Sequence, residues 1–526
     1  MPETKTAEST GRPAFLVASG ILLSRLLGLV RLRVFAHYFG LASDAADAFN
    51  AAFRIPNFLQ NLFGEGVLSA SFIPVYASLL ARREKEEAGR VAGAVFAILA
   101  LVTSVLVLLG VLATPYLIDA IAPGFAGAKR ELTIHIVRVL FPGAGLLVLS
   151  AWCLGILNSH RKFFLSYTAP VMWNVAMITT LAGFGSRMNQ DRLALAVAWG
   201  SVAGSALQFL IQLPSVRSLA RPLRLRPDTS LPNVRTVLRN FVPVFISRGV
   251  VQISAYVDSL LASLLPTGAV TGLTNAQLLY TLPVSLFGMS VSAAELPAMS
   301  SALGGERDIA EHLRRRMNAG LRRIAFFIVP TSAAFLALGD VVSAALLQTG
   351  RFRHTDAVYV WGILAGSTVG LLASTLGRLY SSAYYALRDT RTPLKFAVLR
   401  VVVTTALGYA MAIPLPPAIG LDPRWGVAGL TASAGMAGWL EFSLLRRTLN
   451  RRIGTTGLPA VFVAKLWAAA VAAAATGWAV KLAIGHVHPV LAAALILGPY
   501  GAVYFGITAA FGFEEARGVL SRLRRK

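Results

Sequence analysis

The sequence predicts an all-α integral membrane protein with about fourteen transmembrane helices. Of its 526 residues, 56% are hydrophobic and only 14% are charged, whereas soluble globular proteins carry about 25% charged residues. The apolar residues fall in long stretches, and about 20 consecutive apolar residues are enough to cross one bilayer. These stretches are too long and too continuously apolar for the strands of a membrane barrel, so helices are expected.

Fourteen apolar stretches follow one another along the chain. They lie at about 14–41, 48–81, 91–113, 132–157, 166–185, 194–214, 240–263, 271–301, 324–347, 357–385, 394–414, 427–445, 459–482 and 488–511. Alternate connecting tracts, together with the two termini, hold 32 lysines and arginines, and the opposite tracts hold 7. Because basic residues accumulate on the cytoplasmic side, we expect both termini in the cytoplasm.

A faint internal repeat is also present. Ser24 opens a helix pair that ends at Pro74, and Ser247 opens another that ends at Pro297, with 50 residues from serine to proline in both. Transporters often contain repeated bundles with the binding site between them. Helices one, two, seven and eight are therefore expected to line a central cavity, with chance similarity among apolar helices as the alternative.

Charge placement and motifs argue against other function classes. The net charge of +25 lies in short tracts between apolar stretches, which is how membrane topology is encoded, so no nucleic-acid partner is expected. The sequence has neither a Walker A loop nor an HExxH motif. Cys153 is the only cysteine, which excludes an intramolecular disulfide and a cysteine-based metal site. We expect neither an enzyme nor a bound cofactor, and the coupling ion stays open.

Basic residues inside apolar helices are costly and usually functional. Arg25 and Arg31 lie six residues apart in the first helix, which separates them by about 9 Å of helix rise. Arginine binds phosphate bidentately and stays charged when desolvated, so the pair suits an extended anionic headgroup. The alternative is an arginine paired with a helix carboxylate for packing. Near helix ends, Arg400, Lys465 and Lys481 are instead expected to extend to the lipid headgroups.

The second apolar stretch adds uncharged and acidic groups. Pro56 is expected to open a helix, and Asn57 and Gln60 then lie on its early turns. Glu65 stands between two glycines, which allow a neighbouring helix to approach closely. An unpaired carboxylate there is costly, so we expect Glu65 to pair with a nearby arginine or to be protonated during transport.

Four regions carry a family resemblance. They are SRLLGLVR (24–31) with DAADAFNAAFRIPNFLQNLFGEGVLSASFIPVYA (44–77), LPVSLFGMSVSAAELPAMS (282–300), LLQTGRFRHTDA (346–357) and GRLYSSAYYALRDTRTPLKFAV (377–398). Through them the chain resembles the MurJ/MviN family of lipid II flippases, in order and over nearly its whole length.

This resemblance implies the fold of the multidrug/oligosaccharidyl-lipid/polysaccharide exporters. Two pseudo-symmetric six-helix lobes, 1–225 and 226–452, would surround a central cavity, and 453–526 would hold two extra helices and a basic tail. The implied function is a flippase of the bacterial inner membrane that moves an undecaprenyl-pyrophosphate-linked peptidoglycan precursor to the periplasmic leaflet by alternating access. Lipid II, membrane lipids and cell-wall synthesis proteins are the implied partners.

The family motifs also imply site residues. Arg25 and Arg31 match first-helix arginines that are essential in the family, Asp47 matches a motif aspartate near the periplasmic end, and Glu65 matches the glutamate of the Glu-Gly motif. The full predicted substrate-binding set is Arg25, Arg31, Asp47, Arg54, Asn57, Gln60, Glu65 and Arg248.

The chain departs from the family pattern at four positions. Many members have an arginine at Gln60 and an acidic residue at Leu32, and an arginine and a glutamate where this chain has Leu278 and Thr281. Other arginines are expected to compensate, namely Arg33, Arg54 and Arg248. Alternatively, the chain is a flippase for another polyprenyl-linked glycan.

Two further functions stay open. A multidrug antiporter on the same fold should show carboxylates in its cavity, and a membrane scaffold should not need arginines inside helices.

The topology can be tested with a reporter that is active only in the periplasm. We expect no activity when it is fused after Lys526 and strong activity when it is inserted at Arg187, because the basic residues alternate between sides. Strong activity after Lys526 would contradict the predicted orientation.

Overall fold

The structure, a computed structural model, describes residues 8–301, 305–485 and 487–518. It does not describe the side chains of residues 8–19, 21, 65, 246–255 and 306. Helices account for nearly all of the described chain, which contains no strand, so the predicted all-α class is confirmed. Nine described helices are long and apolar enough to cross a membrane, or up to ten if a pair bent by 43° forms one span. The count of fourteen stays a prediction.

The chain divides into two compact units. Unit 1 comprises Met1–Gly268 with Thr349–Arg351, and unit 2 comprises Ala269–Gln348 with Phe352–Lys526. The helices of unit 1 are α1 (Glu8–Phe39), α2 (Asp44–Phe63), α3 (Glu65–Ser71), α4 (Ile73–Ala81), α5 (Lys85–Leu112), α6 (Thr114–Ile121), α7 (Gly127–Ser159), α8 (Phe163–Phe184), α9 (Gln190–Leu219) and α10 (Pro232–Ser263).

The helices of unit 2 include one π-helical stretch. They are α11 (Ala269–Pro283), the π-helix Val284–Met289, α12 (Ser290–Ser300), α13 (Glu306–Leu347), α14 (His354–Thr368), α15 (Leu371–Ala386), α16 (Arg391–Ala412), α17 (Leu415–Ala418), the 3-10 turn Pro423–Trp425, α18 (Gly426–Ile453), α19 (Ala460–Ala483) and α20 (Pro489–Ala510). The sequence assigns α10 to the second lobe, but it packs against α2 and α3 within unit 1. The division at 225 and 452 stays a prediction.

The second apolar stretch of the sequence is broken into three helices, α2, α3 and α4. Ser43 caps α2, since its Oγ accepts the Ala46 N–H at 3.3 Å. The expectation that Pro56 opens the helix is therefore wrong, because Pro56 lies inside α2. The helix ends at Gly64, where an added Cβ would lie 2.2 Å from the Gln60 carbonyl oxygen. This break directs α3 and α4 along α7 and α10.

The carboxy-terminal helices complete the hydrogen bonding of α13. Pro330 lies inside α13 and has no N–H, so the Phe326 carbonyl loses its usual helical donor. The Tyr504 hydroxyl donates to that carbonyl at 2.6 Å, and the Tyr500 hydroxyl donates to the Pro330 carbonyl at 2.6 Å. Because buried carbonyl groups without a donor are costly, α20 is bound to α13 by these two tyrosines.

Two of the three basic residues expected to extend to the headgroups are paired instead. The Arg400 guanidinium lies 3.0 Å from Glu441, and the Lys481 ammonium lies 2.5 Å from the buried Asp340. A carboxylate buried in an apolar bundle needs a cation, so these lysine and arginine side chains turn inward. Lys465 packs over the Phe511 ring at 5.5 Å.

We expect Lys481→Met to lower the free energy of unfolding by about 3 kcal/mol, because it leaves a buried carboxylate without its cation. The double variant Asp340→Asn/Lys481→Met should recover most of this loss. Equilibrium unfolding in detergent measures both values, with Lys465→Met on the same helix as the matched control. Equal losses in Lys481→Met and Lys465→Met would contradict the structural role of the pair.

Candidate functional site

Arg31 lies inside unit 1 in a cage of aromatic and sulfur groups. Its guanidinium carbon is 4.8 Å from the Trp173 ring centroid and 5.7 Å from that of Phe53. One terminal nitrogen points to the Met177 sulfur at 3.7 Å. The Nε atom is buried and has no hydrogen-bond partner, and no carboxylate forms an ion pair with Arg31 among the described side chains. The packing alternative, an arginine paired with a carboxylate, is therefore not what the described residues form.

Trp173, which packs against this cation, also lines a cavity of about 600 Å³ within unit 1. The cavity is lined mainly by uncharged polar side chains from α1, α2, α3, α7, α8 and α9. They are Ser24, Gln60, Asn61, Ser69, Ser150, Asn174 and Gln208. No described lining side chain is a carboxylate. The described lining therefore offers hydrogen bonds and carries no negative charge.

Several of the lining groups keep bonding capacity for a ligand. The Asn174 amide donates to the Pro170 carbonyl at 3.3 Å, but its oxygen is buried and has no described donor. The Ser150 hydroxyl accepts hydrogen bonds from Gln208 at 3.0 Å and from Gln212 at 2.7 Å. Because a buried amide oxygen without a donor is costly, Asn174 carries an unmet hydrogen bond beside the cavity.

The other predicted arginines have different surroundings. Arg25 is exposed, and no hydrogen bond or ion pair of its side chain occurs among the described residues. Arg54 interacts electrostatically with Asp258 of α10. The Tyr256 hydroxyl also donates to the Arg54 carbonyl at 2.5 Å. These contacts join α2 to α10 inside unit 1.

Only part of the predicted substrate-binding set can be placed relative to the cavity. Gln60 lines the cavity, and Asn57 is half-buried on α2. The side chains of Glu65 and Arg248 lie outside the described residues, so their predicted roles stay predictions.

Asp47 belongs to a separate ion-pair cluster. Its carboxylate accepts hydrogen bonds from the Lys129 ammonium at 2.9 Å and from the Gly268 N–H at 2.8 Å. Lys129 also lies 3.1 Å from Asp44, and Asp44 accepts the Thr267 hydroxyl at 2.8 Å. Asp47 is buried, so its charge is satisfied within the protein. This cluster fastens α2, α7 and the segment after α10 to one another.

Sequence reasoning missed Trp173, Lys129 and Glu295. Glu295 is buried on α12 and lies 3.6 Å from Arg316 and 3.7 Å from Arg323 on α13. The sequence did contain an indication of this residue, because Glu295 is a single acid in an otherwise apolar stretch. Trp173 carries no such signal, because only the packing of α8 against α1 brings its ring to Arg31.

Asp389 and His160 lie outside the spanning helices and have shifted pKa values. Hydrogen bonds from the Thr392 backbone N–H and hydroxyl and from Arg452 lower the pKa of Asp389 to about 2. Burial, with a smaller contribution from Lys85, lowers the pKa of His160, whose Nε2 lies 3.0 Å from the Tyr76 hydroxyl. In the described part of the chain, no group of three or more His, Cys, Asp or Glu side chains could hold a metal ion.

Comparisons of the sequence give one family. The family model described as "Lipid II flippase MurJ" matches residues 35–498. The chain is 31% identical over 526 residues to the probable lipid II flippase MurJ of Rhizobium meliloti (strain 1021), which covers 97% of this chain and 94% of that protein. It is 31% identical over 524 residues to the lipid II flippase MurJ of Burkholderia cenocepacia, with 96% and 98% covered.

Solved structures show the same fold. The chain matches a structure of "Lipid II flippase MurJ, inward closed conformation" with a TM-score of 0.76 and 22% identity, covering 94% of this chain and 98% of that one. It matches an inward-facing MATE multidrug transporter with a TM-score of 0.64 and 18% identity, covering 84% and 100%.

We expect Arg31 and Trp173 to be energetically coupled. The substitution Trp173→Leu removes the ring beneath the guanidinium, and a desolvated cation–π contact contributes about 2 kcal/mol. A double-mutant cycle with Arg31→Met, measured by unfolding in detergent, should give a coupling free energy of at least about 1 kcal/mol. Trp173→Phe keeps a ring and should retain most of it. Additive effects within about 0.5 kcal/mol would exclude the contact.

Proposed function

The chain belongs to the lipid II flippase MurJ family, and on this premise we propose that it moves lipid II from the cytoplasmic to the periplasmic leaflet of the bacterial inner membrane. The protein is an integral membrane protein of a transporter family. The proposal includes alternating access, both termini in the cytoplasm, and cell-wall synthesis proteins as partners that supply and consume the lipid.

The observation that carries the proposal is the half-buried guanidinium of Arg31, whose Nε atom is buried without a hydrogen-bond partner. A cation that leaves water for a protein interior loses hydration worth several kcal/mol. Stacking on Trp173 and Phe53 offsets about 2 kcal/mol of this loss, and neither ring carries a net charge. The site therefore keeps a positive charge and an unused N–H donor. A diphosphate supplies both the counter-charge and the acceptor oxygens.

The cavity beside Trp173 supports a glycan as the rest of the headgroup. Its volume of about 600 Å³ lies in the range of small-ligand sites. Sugars and peptides offer hydroxyl and amide groups, which match the amides of Gln60, Asn61 and Asn174. Uncharged hydrogen bonds are exchanged for water at little net cost, so such a headgroup can be released on the far side.

Arg25 would act at a different depth from Arg31. The two residues are separated by about 9 Å along α1, and the exposed Arg25 is free to meet the diphosphate before or after Arg31 does. Two cationic positions along one helix lower the barrier between entry and exit, because the anion leaves one guanidinium only as it reaches the next. The affinity at each should be modest.

The described surroundings disfavour a multidrug antiporter. Such a transporter needs carboxylates that exchange protons or sodium ions, and the described cavity lining has none.

One observation favours a second candidate, a flippase for another polyprenyl-linked glycan. Gln60 lines the cavity without a charge, and Thr281 donates to the Gln277 carbonyl at 2.7 Å. Neither residue supplies the charge that many family members carry.

The test is growth of a strain depleted of its own lipid II flippase. We expect the wild-type chain to restore growth and to expose the lipid II headgroup to a cleaving enzyme added outside the inner membrane. A chain that restores neither, but restores export of a different polyprenyl-linked glycan, would establish the second candidate instead.

Arg31→Lys should reduce this exposure about tenfold, because it keeps the charge and loses the guanidinium hydrogen-bond pattern. One hydrogen bond to a charged group is worth at least about 1.5 kcal/mol. Arg31→Ala should abolish the exposure, and Arg25→Lys should weaken it.

The matched control is Arg138→Lys, since Arg138 is an exposed arginine on α7; it should leave the rate unchanged. All variants are compared at equal amounts in the membrane. Wild-type rates in both alanine variants, Arg25→Ala and Arg31→Ala, would refute the site.

A further inference from the structure

Three polar side chains of α7 and α9 form one hydrogen-bonded group at the cavity beside Trp173. The Ser150 hydroxyl oxygen accepts the Gln212 amide N–H at 2.7 Å and the Gln208 amide N–H at 3.0 Å. Gln212 also donates to the Gln208 main-chain carbonyl at 2.9 Å. Ser150 and Gln208 line the cavity, whereas Gln212 is buried and is not part of the lining.

The orientation of the Gln212 amide follows from its partners. A main-chain carbonyl can only accept hydrogen bonds, so the amide nitrogen must face the Gln208 carbonyl, and the same nitrogen contacts Ser150. Both N–H groups of Gln212 are therefore used. Its amide oxygen is buried and has no donor among the described residues. Gln212 thus acts as a donor that occupies one lone pair of Ser150.

Ser150 and Gln208 together keep two hydrogen-bond donors, whichever way the Gln208 amide is turned. A hydroxyl has one donor and two lone pairs, and a side-chain amide has two N–H donors. When Gln208 donates to Ser150, as it does here, the hydroxyl hydrogen and one Gln208 N–H are left over. With the amide reversed, its oxygen takes the hydroxyl hydrogen and both N–H groups are left over. The described residues supply no acceptor for these two hydrogens.

Other serines of the same helices use their hydrogen differently. Ser159 of α7 donates to the Gly155 carbonyl at 2.8 Å, and Ser205 of α9 donates to the Ser201 carbonyl at 2.9 Å. A helical serine often returns its hydrogen to the preceding turn in this way. Ser150 makes no such bond to a described residue, and two amide groups hold its oxygen instead.

The backbone that carries this group is tightly packed. Trp152, two residues after Ser150, is fully buried, and its indole N–H donates to the Ala92 carbonyl of α5 at 3.2 Å. A Cβ at Gly143 of α7 would lie 3.3 Å from the Ser205 Oγ of α9, so these two helices are in close contact. Donors that are already fixed cost less to order when a ligand binds.

The segment that follows α9 is also held against α5, by two glycines. A Cβ at Gly93 would lie 2.1 Å from the Arg224 carbonyl oxygen, and a Cβ at Gly89 would lie 2.5 Å from the Pro222 carbonyl oxygen. Both α7 and the continuation of α9 are therefore fastened to α5, which fixes the two helices that carry the donors.

Two adjacent donors without a charge suit one neutral acceptor atom. A carbonyl oxygen has two lone pairs. A phosphate oxygen carries negative charge and is bound more strongly by a cation such as Arg31. A peptidoglycan precursor offers neutral carbonyl oxygens in the acetamido groups of its sugars and in its peptide. The donors of Ser150 and Gln208 therefore match an amide carbonyl better than they match the diphosphate.

We propose that Ser150 and Gln208 bind an amide carbonyl oxygen of the transported headgroup. Gln212 is a positioning residue, because it holds the Ser150 oxygen and leaves the hydroxyl hydrogen for the ligand. This contact rests on the proposed function and adds selectivity to it, since a headgroup without the carbonyl would leave two donors unpaired.

Native mass spectrometry of the full chain in detergent tests this contact with three probes. They are lipid II, lipid II without its peptide, and lipid II with hydroxyl groups in place of its acetamido groups. Wild type should bind one altered lipid about tenfold more weakly than lipid II, since each of two neutral hydrogen bonds contributes about threefold to fivefold. Ser150→Ala should weaken lipid II binding about fivefold and leave binding of that altered lipid unchanged. Which altered lipid is spared identifies the carbonyl as part of the peptide or of a sugar.

The matched control is Ser205→Ala, which removes the hydroxyl of a buried serine outside the cavity lining. It should change the affinity for lipid II by less than about twofold, since distant sites act independently. Gln212→Leu should weaken lipid II binding about threefold and spare the same altered lipid as Ser150→Ala, because the freed hydroxyl can return its hydrogen to α7.

Equal losses of affinity for all three lipids in Ser150→Ala would overturn the carbonyl contact, and so would unchanged binding of lipid II. Headgroup exposure across the membrane is measured separately. Binding with the expected selectivity but without transport would contradict the proposed function alone. Transport by the wild-type chain with no selectivity lost in Ser150→Ala would contradict this contact alone.

Discussion

Hydrocarbon offers no hydrogen-bond partner to a peptide group and no counter-charge to an ion, and this absence governs the molecule at every level. It makes nearly all of the described chain helical. It draws the Tyr504 hydroxyl to the carbonyl that Pro330 leaves without a donor. It turns Lys481 inward to Asp340 and Arg400 inward to Glu441. A charge inside a helix that these rules leave without a charged partner is therefore a candidate for function, and Arg31 in unit 1 is one such charge.

The sequence was sufficient for the fold class because membrane helices are specified by composition over long stretches. It was also sufficient to identify Arg31 as a site candidate, since a cation in an apolar helix needs no structural context to be noticed. The lengths of the helices and the contacts of side chains near helix ends were harder to predict from the sequence. Lys481 was expected at the headgroups, because its partner Asp340 lies on a helix about 140 residues away and only packing reveals that contact.

The partners of the site residues could not have been predicted for the same reason. Trp173 meets Arg31 across 142 residues of chain, and Lys129 meets Asp47 across 82. The count of arginines and acids around α1 and α2 also left out Lys129, which pairs with both Asp44 and Asp47 and offsets one of their two negative charges. Arg31 has aromatic rings and a sulfur atom around it rather than a carboxylate among the described side chains.

The glycines at positions 89 and 93 have a consequence for how this protein tolerates change. An alanine at Gly93 of α5 would place its methyl group 2.1 Å from the Arg224 carbonyl oxygen, in the segment that joins α9 to α10. Even the smallest side chain would therefore push the backbone of Arg224 away. The arginines of this segment have long, adaptable side chains. In a saturation mutagenesis survey, the positions near this segment that tolerate substitution least would then be two glycines. A catalogue of charged residues would overlook them.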